Sequence, residues 1–208
     1  MQRESGRRSN RDRTEATRAD LIRAARRLFT EKSYAETGTP EIAAAAGLTR
    51  GALYHHFADK QALFAAVVEQ EAATVAAEID RASAPSLSAR DALIAGSDAY
   101  LAAMRAPGRT RLLLLDGPAV LGRAAMDDID NRHGNRSLRE GLVAAMRARA
   151  MTRLPAEALT ALLAATFDRA ALAIEAGASE EDYRAVLIAL MDGLSPAPPP
   201  SKHPAPAR

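Results

Sequence analysis

The chain has 208 residues, 48% hydrophobic and 26% charged, with a formal net charge of +2, a balance that suits a soluble globular protein with room for a sizeable core. Cysteine is absent, which excludes disulfides, thiolate metal sites, thiol catalysis and cysteine redox sensing, and aromatics at 4% with no tryptophan leave a Leu, Ala, Ile, Val and Met core, a palette for helices rather than strands. No segment nears the ~18 consecutive apolar residues of a membrane span, and the N-terminus is too polar for a signal peptide, so the expected location is the cytoplasm with no membrane partner.

Residues 1–13 hold Arg3, Arg7, Arg8, Arg11 and Arg13 and no aliphatic residue after Met1. Such a segment cannot bury itself and is expected to be a disordered basic arm, which either lies in a DNA minor groove or is only a soluble tail. The charge is skewed the same way: residues 1–60 carry 12 Lys/Arg against 8 Asp/Glu, a balance of +4, and the remainder carries −2. The positive field therefore sits at the N-terminal end, where phosphate binding would use it.

From Thr14 onward Leu21, Ile22, Ala25, Leu28 and Phe29 recur at helical spacing and predict a first helix. The stretch TPEIAAAAGLTRGALYHHFADK, residues 39–60, then reads as helix, glycine turn, short helix and basic exit. Thr39 is expected to cap a helix that begins at Pro40, a residue suited to the first turn because no amide hydrogen is needed there. Gly47 ends that helix in the left-handed conformation, and Thr49 caps the next, whose Leu53 and Phe57 lie four apart and share the buried face. The opposite face presents Arg50, Gly51, Ala52, Tyr54, His55 and His56, a set of donors, gaps and an aromatic hydroxyl suited to base edges and phosphates. Asp59 is expected to cap a further helix, with Lys60 at its start offering a point charge to a phosphate.

At these residues the chain resembles the TetR family of bacterial transcriptional regulators. The resemblance runs without a gap from Ala16 to Gln70, through AARRLF at residues 24–29 and EIAAAAGLTRGALYHHFADKQALF, with Ser33 and Tyr34 where the family carries a glycine and an aromatic. It implies that Arg50, Gly51 and Ala52 approach base edges, that Tyr54, His55, His56 and Lys60 hold phosphates, and that Thr39 adds a contact from the second helix of the motif.

Beyond Asp59 the stripe Leu63, Phe64, Val67, Val68, Val75 and Ile79 predicts a helix of about 20 residues leading away from the head, broken at Ala84-Pro85-Ser86. A helix is expected over 91–105, and the run RTRLLLLDGPAVLG is expected to be interrupted by a kink at Gly117-Pro118, of the kind that borders ligand cavities. This run also looks like the C-terminal domain of one branch of the same family. A helix over 138–151 follows. The last two helices, over 156–177 and after a Ser179 cap, carry apolar stripes, and the family resemblance implies a four-helix dimer interface at this end. Leu159, Leu163, Phe167, Ile174, Tyr183, Leu187 and Leu190 are its candidates, with completion of the monomer core as the alternative reading. From residue 195 the Pro-rich chain is expected to be a disordered tail.

These elements predict an all-α fold: a helix-turn-helix head over 14–60 and a helical body over 61–194. Candidate lining for an effector pocket in that body is Tyr100, Met104, Leu113, Met126, Leu142, Met146, Thr166 and Phe167, apolar or amphipathic residues on body helices. Asp127, Asp128, Asp130 and His133 form an acidic cluster, but positions 127, 128 and 130 do not share one helical face, so no metal site is expected. Asp168, Arg169 and Glu175 lack a positioned nucleophile, and neither an enzyme nor a cofactor is expected. The expected function is a homodimeric, ligand-responsive repressor whose partners are a palindromic double-stranded DNA operator and a small-molecule effector. The alternatives are a DNA-binding dimer without an effector, and a helical small-molecule carrier or enzyme.

Overall fold

The computed structural model describes residues 3–84 and 86–195, and all its regular structure is helical. The tail expected after Ser195 lies outside the described residues, as do Met1 and Gln2 of the basic arm. The rest of that arm is helical, a correction to the expected disorder: α1 runs without a break over Arg3–Lys32. The segment contains no proline and is rich in Arg, so each residue added to the helix already nucleated downstream costs only propagation. The Arg11–Glu15 pair, one turn apart at 3.0 Å, contributes a few tenths of a kcal/mol, about what exposed pairs of this spacing supply.

The turn after α1 carries Ser33 at φ 91°, the left-handed region that glycine favours. It is held there by the Thr37 hydroxyl donating to the Ser33 carbonyl at 2.7 Å. Next, α2 spans Thr39–Ala45, and its cap is Gly38 rather than Thr39: the Ile42 amide donates to the Gly38 carbonyl, while the Thr39 hydroxyl is engaged by Tyr54 and is not available to the helix amides. Gly47 adopts φ 69°, and the Leu48 and Gly47 amides close onto the Ala43 and Ala44 carbonyls, satisfying groups that a helix end otherwise leaves orphaned. Helices α3 (Arg50–His56) and α4 (Lys60–Ala82) are capped by Thr49 and Asp59, which accept from the Ala52 and Ala62 amides.

The body begins with α5 (Ala89–Met104), capped by Ser88. The interruption expected at Gly117-Pro118 takes the form of a widened π-helical turn over Arg111–Asp116 that runs straight into α6 (Gly117–Leu121). The Gly117 amide reaches back five residues to the Leu112 carbonyl, and a Cβ there would lie 2.9 Å from that oxygen and from Met126 Sδ. Only glycine fits, and Pro118 enters the new helix without a donor to lose. Then come α7 (Arg123–Arg132) and α8 (Gly134–Arg147). The helix expected over 138–151 thus starts and stops earlier, because Arg149 turns left-handed at φ 57° and the Ala150 amide closes on the Ala145 carbonyl. Helices α9 (Ala156–Glu175) and α10 (Glu180–Asp192) complete the fold, the latter capped by Ser179 as expected.

Two apolar cores organise these helices. The first joins Leu21, Ala25 and Phe29 of α1, Ile42 of α2 and Leu53 of α3 to Phe64, Val67 and Val68 of α4, and continues into the π turn through Leu112 and Leu113. Phe29, Tyr34 and Phe64 meet at centroid distances of 4.9–5.7 Å, mostly edge to face. The second core packs Leu93 and Leu101 of α5 with Leu142 and Met146 of α8, and with Leu163, Phe167, Leu187 and Met191 of α9 and α10. Tyr100 touches both cores.

The second core takes up part of the expected dimer face. Leu163, Phe167 and Leu187 are buried within the subunit, and Leu159, Ile174 and Tyr183 are half-buried against the same cluster. A helix has one apolar stripe to spend, and α9 and α10 spend theirs on α5 and α8. Of the seven candidates only Leu190 is well exposed, at 48%, alongside Leu162 at 69% and Val186 at 58%. Among the described residues, no helix is long and apolar enough to cross a membrane.

Candidate nucleic-acid interface and internal cavity

Leu53 and Phe57, buried against the head, fix which side of α3 faces outward. Arg50, Gly51, Tyr54 and His55 are exposed there, and Ala52 and His56 are partly covered. The arrangement is stiffened from below. Tyr54 Oη and Thr39 Oγ1 share a hydrogen bond of 3.1 Å, and the Arg50 guanidinium lies 5.4 Å from the Tyr54 ring centroid. Hydrogen bonding to Thr39 and Arg50 lowers the Tyr54 phenol below its ordinary pKa. Burial, with His55 and Arg18 nearby, lowers the His56 imidazole as well. Arg18 on α1, which the sequence reading did not single out, places its guanidinium 5.1 Å from the Phe57 ring centroid at the edge of this face.

Two candidates are placed differently from the sequence expectation. Thr39 is buried, at 8% exposure, and serves Tyr54. Lys60 turns inward: its Nζ donates to the Tyr34 carbonyl at 2.9 Å and the Thr37 carbonyl at 3.1 Å and lies 4.2 Å from the Tyr34 ring centroid. A point charge on a flexible stem settles where carbonyls of a tight turn would otherwise lack donors. Lys60→Ala is therefore expected to cost stability, about 1–3 kcal/mol for two unsatisfied carbonyls and a lost cation–π contact. Chemical denaturation checks this, and an unchanged midpoint would contradict the inward role.

Between the lever α4 and helices α5, α8 and α9 lies a cavity of about 920 Å³. Small residues open it. On α5 the lining positions Leu93, Gly96, Ser97 and Tyr100 recur at helical spacing, and on α9 Ala161, Ala164, Ala165 and Asp168 do the same. Of the eight candidate lining residues, Tyr100, Met104, Leu113 and Phe167 border the cavity. Met126, Leu142 and Met146 are buried core instead, and Thr166 sends its hydroxyl back to the Leu162 carbonyl. The polar lining was missed: Tyr100 Oη donates to Asp168 Oδ1 at 2.6 Å, and Asp130 borders the same space. Burial raises the Asp168 carboxyl, against the hydrogen bond from Tyr100, and burial together with Asp168 and Asp127 pushes Asp130 up to about 6. The sequence signal that could have found Asp168 is its place at the end of an alanine stripe on a single helical face. The four-residue acidic cluster divides in the fold, since His133 pairs with Glu69 at 2.6 Å.

A third feature ties head to body. Glu71 of α4, 7% exposed, accepts Arg26 of α1 at 3.1 and 3.3 Å and Arg109 at 2.8 Å. Arg109 also donates to the Ala103 carbonyl, and Arg26 to that of Pro107. Burial alone would raise the Glu71 carboxyl, but the two guanidinium groups outweigh it and hold the carboxyl below its ordinary value.

Comparison with known proteins agrees with both halves of this geometry. Residues 21–67 match the model of the bacterial regulatory proteins of the tetR family, and residues 90–196 match that of the tetracyclin repressor-like C-terminal domain. Among curated relatives, the HTH-type transcriptional regulator AcrR of Shigella flexneri is 42% identical over 62 residues, 30% of this chain and 29% of that protein. The HTH-type transcriptional repressor Rv1474c of Mycobacterium tuberculosis is 37% identical over 70 residues, 34% and 37% of the two lengths. These matches thus span about a third of each relative. A solved TetR-family transcriptional regulator of Pectobacterium atrosepticum superposes with a TM-score of 0.73 at 34% identity, over 91% of this chain and 99% of that one. With its head, its body and a full-length solved relative all in agreement, the chain belongs to the TetR family of bacterial transcriptional regulators.

Proposed function

We propose that the protein is a homodimeric repressor that binds a palindromic DNA operator through the exposed face of α3 and is released by a small molecule held in the body cavity. The observation that carries this reading is a continuity of packing. The core that fixes α3 runs through α4 into the π turn, and Val75, Leu113 and Leu114 of those elements border the cavity. A molecule that binds one arrangement of α4 and the π turn better than another shifts the head with them, and DNA and effector then oppose each other by linkage. A volume of about 920 Å³ falls within the usual range for small-molecule sites. This favours an effector-binding body over one that serves only dimerisation. The exposed Leu162, Val186 and Leu190 supply apolar area for a second subunit, and a dimer would set two copies of α3 about 34–36 Å apart, one turn of duplex.

Arg50→Ala tests the DNA face. Fluorescence anisotropy against duplex DNA flanking the protein's own gene, beside a scrambled duplex at matched salt, is expected to show a 10- to 100-fold loss, the ~1–3 kcal/mol of one good base contact. Equal binding by parent and variant would remove Arg50, and this face of α3, from the interface.

A further inference from the structure

The cavity walls are apolar or small for most of their extent, yet three lining carboxylates stand there without a cation among the described residues: Asp127, which is exposed, and the half-buried Asp130 and Asp168. Among the described residues, neither Asp130 nor Asp168 has a Lys, Arg or His nitrogen within 4.0 Å, whereas Asp80 and Glu140 at the rim share Arg136 at 2.9 and 3.3 Å. Asp168 receives one hydrogen bond, from Tyr100, on one of its two oxygens. Asp130 receives none among the described residues, although burial and its acidic neighbours act against its ionisation. Arg123, the one basic residue of the lining among the described residues, is exposed and stands close enough only to moderate both carboxyls from a distance. Tyr100 and Phe167, at a centroid separation of 5.9 Å, bring aromatic surface beside the acidic pair. Holding two carboxylates in a poorly solvated wall destabilises the empty protein, and the group that relieves the cost is a positive charge brought in with an apolar body.

We propose that the cavity selects an amphipathic organic cation, a protonated amine on an apolar or aromatic frame, whose charged end sits between Asp130 and Asp168 while its frame lies against Tyr100, Phe167 and Leu113. The inference rests on the reading of this cavity as the effector site and names the class of effector. It disfavours carboxylate and phosphate ligands, which would add another negative charge to the wall. It also gives the empty site a pH signature. Asp130 faces Asp168 on α9 and Tyr100 on α5, with Asp127 and Arg123 on its own helix and His133 just beyond its end. A carboxyl whose folded pKa stands above its unfolded value loses its proton later in the folded protein. Its contribution to stability therefore falls as pH rises from about 4 towards the value near 6. Cation binding strengthens over the upper part of that range.

The test uses the full chain without DNA and a charge series on one frame: 6-phenylhexylamine, 6-phenylhexanol and 6-phenylhexanoate, by isothermal titration calorimetry. The amine is expected to bind at least tenfold more tightly than the alcohol, with the carboxylate weakest. The amine's affinity should rise several-fold between pH 5 and pH 7.5, while that of the uncharged alcohol stays flat. Asp130→Asn and Asp168→Asn should each weaken the amine by fivefold or more without weakening the alcohol. Both variants are isosteric and remove a half-buried carboxylate, and a thermal melt checks that they fold. The inference is overturned if no amine binding is measurable, if the alcohol or the carboxylate binds as tightly as the amine, or if the double Asn variant keeps the amine's affinity. Tight amine binding that leaves operator affinity unchanged would support the charge assignment while overturning the effector reading beneath it.

Discussion

Replacing Glu71 by alanine is expected to lower the stability of the folded chain by about 3–5 kcal/mol, because it breaks a buried two-arginine network and leaves the Arg109 guanidinium only the more distant Glu78 carboxylate. Arg109 is 7% exposed, and its remaining partners are the Ala103 carbonyl and Glu78 at 3.5 Å. The cost is that of breaking one side of a desolvated network, and it exceeds by several-fold what the exposed Arg184–Asp98 and Arg90–Asp192 pairs contribute. Since the Glu71 carboxyl is held below its ordinary value of 4.5, its stabilisation is fully present at neutral pH and fades as pH falls below that value. Urea denaturation at pH 7 and pH 4 measures both. A loss under 1 kcal/mol at pH 7 would mean that the network relaxes onto water. Arg26→Ala should cost less than Arg109→Ala, because the Arg26 side chain retains 30% exposure. The network also marks where head meets body, with Arg26 on α1, Glu71 on α4 and Arg109 just before the π turn.

Gly108→Ala is expected to destabilise the same junction by about 2–4 kcal/mol, combining left-handed strain of ~1–2 kcal/mol with overpacking of a similar size. Gly108 sits at φ 72°, and a Cβ there would come within 2.3 Å of Thr30 Cγ2 on α1. Nothing but glycine lets the 105–110 loop approach the first helix this closely. Thr30→Ala in the same chain should restore the overpacking part but not the strain. It also removes a buried hydroxyl that lacks a hydrogen-bond partner. The denaturation midpoints of the two single variants and the double variant separate these contributions. A Gly108→Ala protein that melts with the parent would show that the loop can move away from α1 at no cost.

Both predictions concern contacts between residues far apart in the chain, and that is where reading the sequence ended. Local patterns carried the element list. The stripe on α4 lies where its period placed it, Gly47 turns left-handed, and Thr49, Asp59 and Ser179 cap their helices because capping chemistry acts within three residues. The arm was misjudged because low hydrophobicity argues against independent folding, whereas a segment continuous with an established helix needs no nucleus of its own. Three of the dimer candidates, Leu163, Phe167 and Leu187, are buried in the subunit's own core for a related reason. An apolar stripe records that a helix face is covered, not whether the cover comes from the same subunit.

Large apolar residues such as Leu142 and Met146 were chosen as lining, but large side chains fill space and become core, at 0% and 8% exposure. The opening lies instead where Gly96, Ala161, Ala164 and Ala165 leave facing helices unfilled. By itself the amino-acid sequence determined most of the helices, the Thr49, Asp59 and Ser179 caps and the exposed face of α3, since these depend on neighbours within a turn or two. Only the tertiary structure decided that Lys60 and Thr39 turn inward, that Glu71 joins two arginines across the head–body junction, and that Asp130 and Asp168 share one cavity. Burial and pairing at those positions are set by residues 15 to 68 positions away in the chain, which no local period encodes.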